Sequence, residues 1–405
     1  MPHRLRVGFN SRYLRDNNLR GFNRYTLSLL TELRRLDELE LVLFTDQRSE
    51  IHSDFIDTIG VEVVQIASPR VLLWEQVMLP IALRRHRIDV FHAPADGGLP
   101  AWKTSRSVLT YHRALDKSLR HSIKTGDLTG RVSDYLPESD GLTGRYLAYR
   151  HSLLRSVYIA AADRIIAVSD YGKWELVELL RVPEKKVVVI YEAADDKFTP
   201  DIPEQTIRQA RLKFGVPDQY LLFVGSYDRW KNVDGLLRCF AGARKEGVQE
   251  GLVLVGTGGD VDGARSLARV LGLREGLDVV FLERIHQDLP PLYSGATAFI
   301  TLSWGESFGL PVVEAMRSGT PVIASNRGAL PEIVADGGIL VDPKNVHEVV
   351  QAIVQVTSGA SLRSQLREKA LRRSGSFSWK NAAGETARLY QEVAGHSRRK
   401  STRLR

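Results

Sequence analysis

Short apolar runs alternate along the chain with longer segments that carry apolar residues at helical spacing. Leu5 to Phe9 predicts a first buried strand, and Tyr25 to Leu36 predicts the helix that follows it. The unbroken apolar run from Leu39 to Phe44 is typical of a parallel strand buried on both faces. Further strands are predicted in this half at Val61 to Ile66, Val90 to His92, Ser107 to Tyr111, Arg164 to Val168 and Lys186 to Ile190. Such alternation predicts a parallel, doubly wound sheet.

The pattern restarts after a polar segment, Lys197 to Asp201, which we interpret as a linker. The strands predicted beyond it are Tyr220 to Val224, Leu252 to Val255, Val279 to Leu282, Ala298 to Leu302, Pro321 to Ala324 and Gly338 to Val341. A chain of 405 residues is long enough for two cores. We therefore predict an α/β protein with two doubly wound, Rossmann-like domains, 1–196 and 197–379, facing a central cleft in which two substrates meet.

The cysteine content and the hydropathy exclude several classes of protein. Cys239 is the single cysteine, so neither a disulfide framework nor a cysteine-based zinc site is possible within the chain. The sequence has no run of about 20 apolar residues, which a membrane-spanning helix would require. Met1 to Asn10 lacks the apolar stretch of a signal peptide, so the cytoplasm is the expected location.

The formal net charge is +8, and a basic tail at 397–405 holds five lysines and arginines without an acid. Such a tail is either solvated or holds a protein peripherally at an anionic membrane face. A second basic stretch contains Lys103, Arg106, Arg113, Lys117, Arg120 and Lys124. The sequence shows no recognition helix, zinc-finger spacing or stacking motif, so nucleic acid is not a predicted partner.

Ser303 to Ala324 places two carboxylates beside a glycine-bearing loop. A predicted strand ends at Leu302, Glu306 lies in the loop, and Glu314 lies about one turn into a helix predicted from Leu310. Backbone N–H groups at a helix start favour an anionic or polyhydroxyl ligand. Carboxylates form strong, oriented hydrogen bonds to sugar or ribose hydroxyls. The alternative interpretation is a helix-capping acid together with a solvated one.

This segment resembles the E-x7-E motif of the retaining family 4 glycosyltransferases, which have the GT-B fold. Ser303 stands three residues before Glu306, as it does in the family. The flanking matches are Glu314 to Met316, Gly319 to Ile323 and Pro331-Glu332, with looser matches at Ala162 to Ile166, Val168-Ser169, Leu19 to Gly21 and Arg24-Tyr25. The resemblance implies a nucleotide diphosphate sugar as co-substrate, and a final helix at about 380–396 that crosses back to the first domain.

The resemblance also assigns the donor-binding residues of the C-terminal domain. Glu306 would bind sugar hydroxyls and Glu314 the ribose. The backbone around the sugar and phosphates would come from Ser307, Phe308, Gly309 and Leu310. After Gly225, Lys231 falls on the family's diphosphate-binding lysine, and Arg229 would supply the second cation because Ser226 stands where many members have arginine. The alternative is a pair of surface cations near a helix start.

Two residues of the N-terminal half are assigned by the same resemblance. His112 follows a predicted strand where family members often carry a histidine that approaches the donor sugar. Arg113 stands next, where an aspartate is common in the family. Gly21 would lie in a loop that faces the donor phosphates. Without the resemblance, a lone histidine is more often structural than catalytic.

By resemblance, the reaction is a front-face substitution in which the leaving phosphate oxygen helps to deprotonate the acceptor hydroxyl. Fixed cations stabilise the departing diphosphate, so neither a metal nor another cofactor is implied. His112, Glu306, Arg229 and Lys231 are the expected catalytic residues.

A mannose- or glucose-type hexose would pass to a saccharide or lipid-linked saccharide in cell-surface polysaccharide or glycolipid synthesis. The stretch from Arg113 to Arg145 is interpreted either as a long loop that closes over this acceptor or as a disordered segment. There are two rival hypotheses. The first is a non-catalytic homologue that acts as a binding partner, which is suggested by the departures from the family pattern at Ser226 and Arg113. The second is a nucleotide-sugar epimerase.

Overall fold

The computed structural model describes residues 4–15, 21–47, 60–68, 70–112, 115–126, 135, 153–283, 285 and 288–401. The chain divides into two units. Unit 1 consists of Met1–Leu115, Ser139–Glu192 and Trp379–Arg405, and unit 2 consists of Asp116–Glu138 and Ala193–Ser378. In the described ranges, no helix is both long and apolar enough to cross a membrane.

Unit 1 is built on a seven-stranded parallel sheet. In chain order its strands are β1 (Leu5–Asn10), β2 (Leu39–Thr45), β3 (Glu62–Gln65), β4 (Val90–Ala93), β5 (Arg106–Tyr111), β6 (Arg164–Ala167) and β7 (Val187–Val189). The order across the sheet is β3-β2-β1-β4-β5-β6-β7. Every strand predicted for this half is present. The central strands are apolar runs that the sheet buries between two layers, whereas the edge strand β3 is exposed at Glu62 and Gln65 and half-buried between them.

Unit 2 repeats this plan with six parallel strands. They are β8 (Tyr220–Val224), β9 (Gly251–Val255), β10 (Val279–Leu282), β11 (Ala298–Thr301), β12 (Val322–Ser325) and β13 (Ile339–Val341), in the order β10-β9-β8-β11-β12-β13. The direction of winding reverses between β8 and β11, which pair with each other. Ligands of such sheets bind outside the carboxyl ends of the strands at this reversal. The predicted class of two doubly wound, Rossmann-like sheets is therefore confirmed.

Helices connect the strands and cover the sheets. They are α1 (Gly21–Leu33), α2 (the consecutive Val71–Leu73, π-helical Trp74–Met78 and Leu79–Arg85), α3 (Leu115–Lys124), α4 (153–161), α5 (Asp170–Trp174 and π-helical Glu175–Leu179), α6 (Glu204–Phe214), α7 (Val233–Lys245), α8 (Val261–Val270), α9 (Leu289–Ser294), α10 (Leu310–Arg317), α11 (Leu330–Val334), α12 (Val346–Ser358), α13 (Ala360–Ser374) and α14 (Trp379–Ser401). The predicted cap of α5 is confirmed, since the Ser169 side chain accepts a hydrogen bond from the Gly172 N–H.

A buried chain of polar side chains ties α14 to the sheet of unit 1. The Tyr390 hydroxyl lies 2.6 Å from Nδ1 of His92, and Nε2 of His92 lies 2.7 Å from the Thr110 hydroxyl. That hydroxyl lies 2.9 Å from the hydroxyl of Tyr25 on α1. Burial, and then the charge of His112, lower the pKa of His92 to about 3. His92 is therefore neutral and links the tyrosine to the threonine without a buried charge.

Candidate active site

The carboxyl ends of β8 and β11 hold the predicted donor-binding residues of unit 2. The segment after β8 contains Gly225 and a single 3-10 turn, Arg229–Lys231, and the segment after β11 contains Glu306. Because the two strands are neighbours at the reversal of winding, their following loops meet at the point where ligands of doubly wound sheets bind. Topology alone therefore brings Lys231 and Glu306 together.

Lys231 and Glu306 form an ion pair that is shielded from water. The Lys231 Nζ donates to Glu306 Oε1 at 2.6 Å, and both side chains are only about a tenth exposed. The Ser303 hydroxyl donates to the same oxygen at 2.8 Å. Nζ also lies 4.2 Å from the centre of the Trp230 ring, a cation–π contact. The carboxylate is therefore fixed from two sides, and the cation is held against its loop.

Backbone contacts hold the loops of β8 and β11 in register. The Trp304 N–H donates to the Trp230 carbonyl at 2.9 Å, and the Asn232 amide donates to the Leu302 carbonyl at 3.1 Å. Asn232 adopts the left-handed region at φ 57°, which asparagine tolerates better than most residues. Gly328, at φ 64°, packs against the peptide of Glu306, and a Cβ there would lie 2.5 Å from the Glu306 nitrogen. The position of Glu306 thus depends on backbone from three loops.

Glu314 lies on α10, which begins directly after the loop. Gly309 precedes the helix at φ 99°, and no side chain caps the helix start. Glu314 is fully buried, and Oε2 accepts a hydrogen bond at 3.0 Å from the hydroxyl of Tyr293, which is also fully buried. The alternative of a capping acid and a solvated acid is therefore wrong, because neither Glu306 nor Glu314 is solvated. Tyr293 was missed by the sequence analysis, since it lies on α9 with no spacing that relates it to Glu314.

The glycines that follow β8 and β9 pack backbone against backbone. A Cβ on Gly256 would overlap the carbonyl oxygen of Gly225, and a Cβ on Gly259 would overlap the peptide between Tyr227 and Asp228. The Tyr227 N–H donates to the Gly258 carbonyl at 2.9 Å. These glycines therefore set how closely the two loops approach each other.

The remaining predicted residues of unit 2 lie in the same two loops and at the start of α10. Arg229 is exposed on the 3-10 turn, whereas the side chain of Lys231 is largely shielded from water. Ser226 donates to Asp228 at 2.7 Å, whereas many family members place arginine at that position. Ser307 is half-buried, Leu310 is buried, and the buried ring of Phe308 packs edge-on against Phe377 at 5.5 Å.

In unit 1, His112 lies directly after β5 between acceptor groups. Its Nε2 lies 2.9 Å from the Pro94 carbonyl, and its Nδ1 lies 3.2 Å from a Glu192 carboxylate oxygen. Both partners can only accept, so the ring donates from both nitrogens and is an imidazolium. Burial alone lowers the pKa of His112, but the hydrogen bond and charge of Glu192, followed by Asp96 and the Pro94 carbonyl, raise it to about 9. His112 therefore presents a positive charge rather than a proton acceptor.

Two other predictions concern unit 1. Gly21 lies in α1 (Gly21–Leu33) and is exposed, so the expected loop position is corrected to a helical one. Arg113 and most of the stretch to Arg145 lie outside the described residues, but Leu115–Lys124 forms the helix α3, so the predicted loop is wrong for that part. Glu192 was missed by the sequence analysis, although an acid shortly after the predicted strand Lys186 to Ile190 was an available signal.

The raised pKa of His112 predicts a pH-dependent stability. The folded state binds the proton more tightly than an unfolded histidine with a pKa of about 6.5, so this contribution is complete below that pH and is lost as pH rises through about 9. Glu192→Gln removes the main charge that raises the pKa, and we expect it to flatten the dependence. Urea unfolding across this range measures it, with the exposed acid Glu178→Gln as matched control. An unchanged pH dependence in Glu192→Gln would contradict the assignment.

Two family models match the chain. The model described as Glycosyltransferase Family 4 matches residues 19–198, and the model described as Glycosyl transferases group 1 matches residues 204–373. The two matches cover most of the sequence. The chain is a family 4 glycosyltransferase.

Curated relatives agree with this assignment. The glycosyltransferase is 29% identical over 396 residues to O-antigen chain mannosyltransferase B of Escherichia coli, which covers 92% of this chain and 96% of the relative. It is 32% identical to the D-inositol 3-phosphate glycosyltransferase of Corynebacterium aurimucosum, over 57% of each chain. A nucleotide-sugar donor and a saccharide acceptor are consistent with these relatives.

Solved structures share the fold over almost the full length. HepE of Anabaena in complex with UDP-glucose has a TM-score of 0.72 at 17% identity, covering 96% of this chain and 100% of that chain. WaaG, a glycosyltransferase involved in lipopolysaccharide biosynthesis, has a TM-score of 0.69 at 15% identity, covering 95% and 99%. The predicted GT-B fold is confirmed.

Proposed function

We propose that the protein is a retaining hexosyltransferase that moves mannose, or a glucose-type sugar, from a nucleotide diphosphate donor to a saccharide or lipid-linked saccharide in cell-surface polysaccharide synthesis. The observation that carries the donor site is the shielded Lys231–Glu306 pair at the winding reversal of unit 2. Mannose is the first choice of sugar because the relative that aligns over almost the whole chain is named a mannosyltransferase.

Lys231 is the proposed cation for the donor diphosphate. An ammonium group carries three N–H donors, so Nζ can keep its bond to Glu306 and still donate to phosphate oxygens. Negative charge grows on the diphosphate as the glycosidic bond breaks. A fixed cation therefore stabilises the transition state more than the bound donor. Arg229, exposed on the same turn, is the proposed second cation.

The two glutamates are proposed to accept hydrogen bonds from hydroxyl groups of the donor. Among the described residues, Lys231 and Ser303 both bond Oε1 of Glu306, which leaves Oε2 to accept from a sugar hydroxyl. Glu314 is proposed to accept from the ribose, with Tyr293 fixing its other oxygen. The backbone N–H groups from Phe308 to Leu310, just before and at the start of α10, are proposed to donate hydrogen bonds to the sugar and the phosphates.

The proposed reaction is a front-face substitution that retains the anomeric configuration. The leaving phosphate oxygen takes the proton of the acceptor hydroxyl while the new glycosidic bond forms on the same face. His112 is proposed to contribute as a cation near the donor sugar. No metal is required in this proposal, because Lys231 and Arg229 neutralise the leaving group.

The test is turnover of GDP-, UDP- and ADP-sugars, with mannose and glucose as the sugars, on oligosaccharide acceptors with and without EDTA. The proposal expects one nucleotide to raise the apparent stability, turnover that survives EDTA, and an α-linked product from an α-linked donor by NMR. Binding without turnover on any acceptor would favour the non-catalytic homologue. A changed donor sugar in the absence of acceptor would favour the epimerase.

Tyr293→Phe is expected to raise KM for the donor about tenfold with a smaller change in kcat. The substitution removes a hydrogen bond to a buried carboxylate, a type of bond that contributes about 1.5–3 kcal/mol. Steady-state kinetics measure it, and the variant should discriminate less between ribose and 2′-deoxyribose donors than the wild type does. Tyr227→Phe, which removes a 3.3 Å bond to the Leu254 carbonyl, is the matched control. An unchanged KM in Tyr293→Phe would argue against a role of Glu314 in donor binding.

A further inference from the structure

One side of α2 carries an exposed apolar stripe. Leu73, Val77 and Ile81 follow each other at every fourth residue and are 42%, 48% and 48% exposed. Residues at this spacing share one face of a helix. Val71 and Leu72 at the start of the helix are also about half exposed. The opposite face packs Trp74, Leu79 and Leu83 into the core of unit 1, so α2 is apolar on both of these faces.

The stripe leads into a cluster of arginines. Arg85 is the next residue at the same spacing, and it lines a pocket with Arg4, Arg6, His86, Arg87, Glu40 and Asp89. Arg6 is already paired with Glu40 and Glu62. Among the described residues, Arg4, Arg84, Arg85 and Arg87 make no ion pair, and all four are exposed. This end of α2 therefore presents positive charge that the described residues do not neutralise.

A tryptophan is held beside the stripe by Gln76 of α2. The Gln76 side chain donates to the Leu99 carbonyl at 3.2 Å and accepts from the Ala101 N–H at 2.8 Å. These two bonds fix the loop that carries Trp102, whose side chain is 65% exposed. Tryptophan is enriched where proteins meet the boundary between lipid and water.

We propose that α2 is a membrane-docking helix for an anionic bilayer surface. The stripe of Leu73, Val77 and Ile81 enters the boundary between headgroups and acyl chains, and the cluster of Arg4, Arg84, Arg85 and Arg87 binds lipid phosphates. An apolar helix face bordered by arginines is the pattern of helices that lie in the plane of a membrane. The inference concerns a surface remote in sequence from the donor-binding loops, and it does not depend on the proposed reaction.

The test is flotation of the full chain with phosphatidylcholine vesicles, with or without about one third phosphatidylglycerol, at low and high salt. The wild type is expected to bind the anionic vesicles and to be released by salt. The triple variant Leu73→Gln, Val77→Gln and Ile81→Gln is expected to bind at least tenfold more weakly. Its matched control replaces three exposed apolar residues of unit 2, Leu212→Gln, Val270→Gln and Leu277→Gln. Equal circular dichroism spectra and equal urea-unfolding midpoints show that the variants are folded.

The charge component has its own variants. Arg85→Gln with Arg87→Gln is expected to weaken binding to anionic vesicles several-fold and to reduce its salt dependence, while Arg208→Gln with Arg238→Gln is not. The proposal is overturned if the wild type binds neither kind of vesicle, which would point to a protein partner. It is also overturned if the stripe variant binds as the wild type does and neutralising the tail at 397–405 abolishes binding. Because the assay contains no donor, either failure is distinct from failure of the proposed function.

Discussion

Replacing Lys231 by methionine is expected to lower kcat by about 10²–10³-fold, because one fixed positive charge at the leaving group is lost. The same substitution leaves Glu306 shielded without its cation, and removing one member of such a pair costs about 3–5 kcal/mol of stability. Initial rates and urea unfolding measure the two losses separately. Lys213→Met is the control, since Lys213 pairs with Asp288 largely in solvent, where a pair contributes about 0–1 kcal/mol.

A second substitution separates the catalytic loss from the structural one. In Lys231→Met with Glu306→Gln, no unpaired charge remains, so the free energy of unfolding is expected to return to within about 1–2 kcal/mol of the wild type. The rate is not expected to return, because neither the cation nor the carboxylate is restored. Recovery of activity together with stability would show that Lys231 acts only by holding the loop in place.

Gly256→Ala is expected to destabilise the protein by about 3 kcal/mol or more. Its new methyl group would overlap the Gly225 carbonyl, and neither backbone can yield without moving a strand end. Activity should fall as well, because the new methyl group would displace the loop that contains Gly225, and the same loop carries Lys231.

Gly258→Ala in the same loop separates crowding from backbone strain. Gly258 has φ 80° and open space around it, so alanine there costs only the left-handed backbone, about 1–2 kcal/mol. Denaturant midpoints measure both variants. Equal midpoints for Gly256→Ala and Gly258→Ala would contradict the close packing of the two loops.

Periodicity was sufficient to predict the two sheets. The run Tyr220 to Val224 is a strand with those bounds, and Leu252 to Val255 lacks only one residue of β9. The final helix, which the resemblance implies at about 380–396, is present as Trp379–Ser401. The strand predictions succeed because a strand buried on both faces must be apolar at every position, and this constraint is local in sequence.

Contacts across the sheet could not be predicted in the same way. Lys231 and Glu306 were assigned to different parts of the donor, but they bond each other across 75 residues of sequence. Likewise, the bond from Tyr293 to Glu314 joins two helices, and the bond from His112 to Glu192 joins the ends of two strands. Each depends on the order of the strands across the sheet, which is set by tertiary packing rather than by local pattern.

The exposed apolar stripe of α2 could not be predicted from the sequence either. Apolar residues at helical spacing predict a buried face, and α2 has one in Trp74, Leu79 and Leu83. A second apolar face shows itself only when the exposure of Leu73, Val77 and Ile81 is known.

The placement of α14 sets the order in which the molecule can be completed during synthesis. His92 and its partner Tyr390 are separated by 298 residues, which a ribosome needs on the order of 15–60 s to add. The segment Ala193–Ser378 emerges before Trp379, so unit 2 has its last strand while unit 1 still lacks a helix. The helix α14 also packs against α1, where Trp379 contacts the ring of Tyr25. Until α14 is made, this face of α1 and the ring of His92 remain uncovered. Newly made chains that stop short of Trp379 should therefore need chaperones, although they already contain every strand of both sheets.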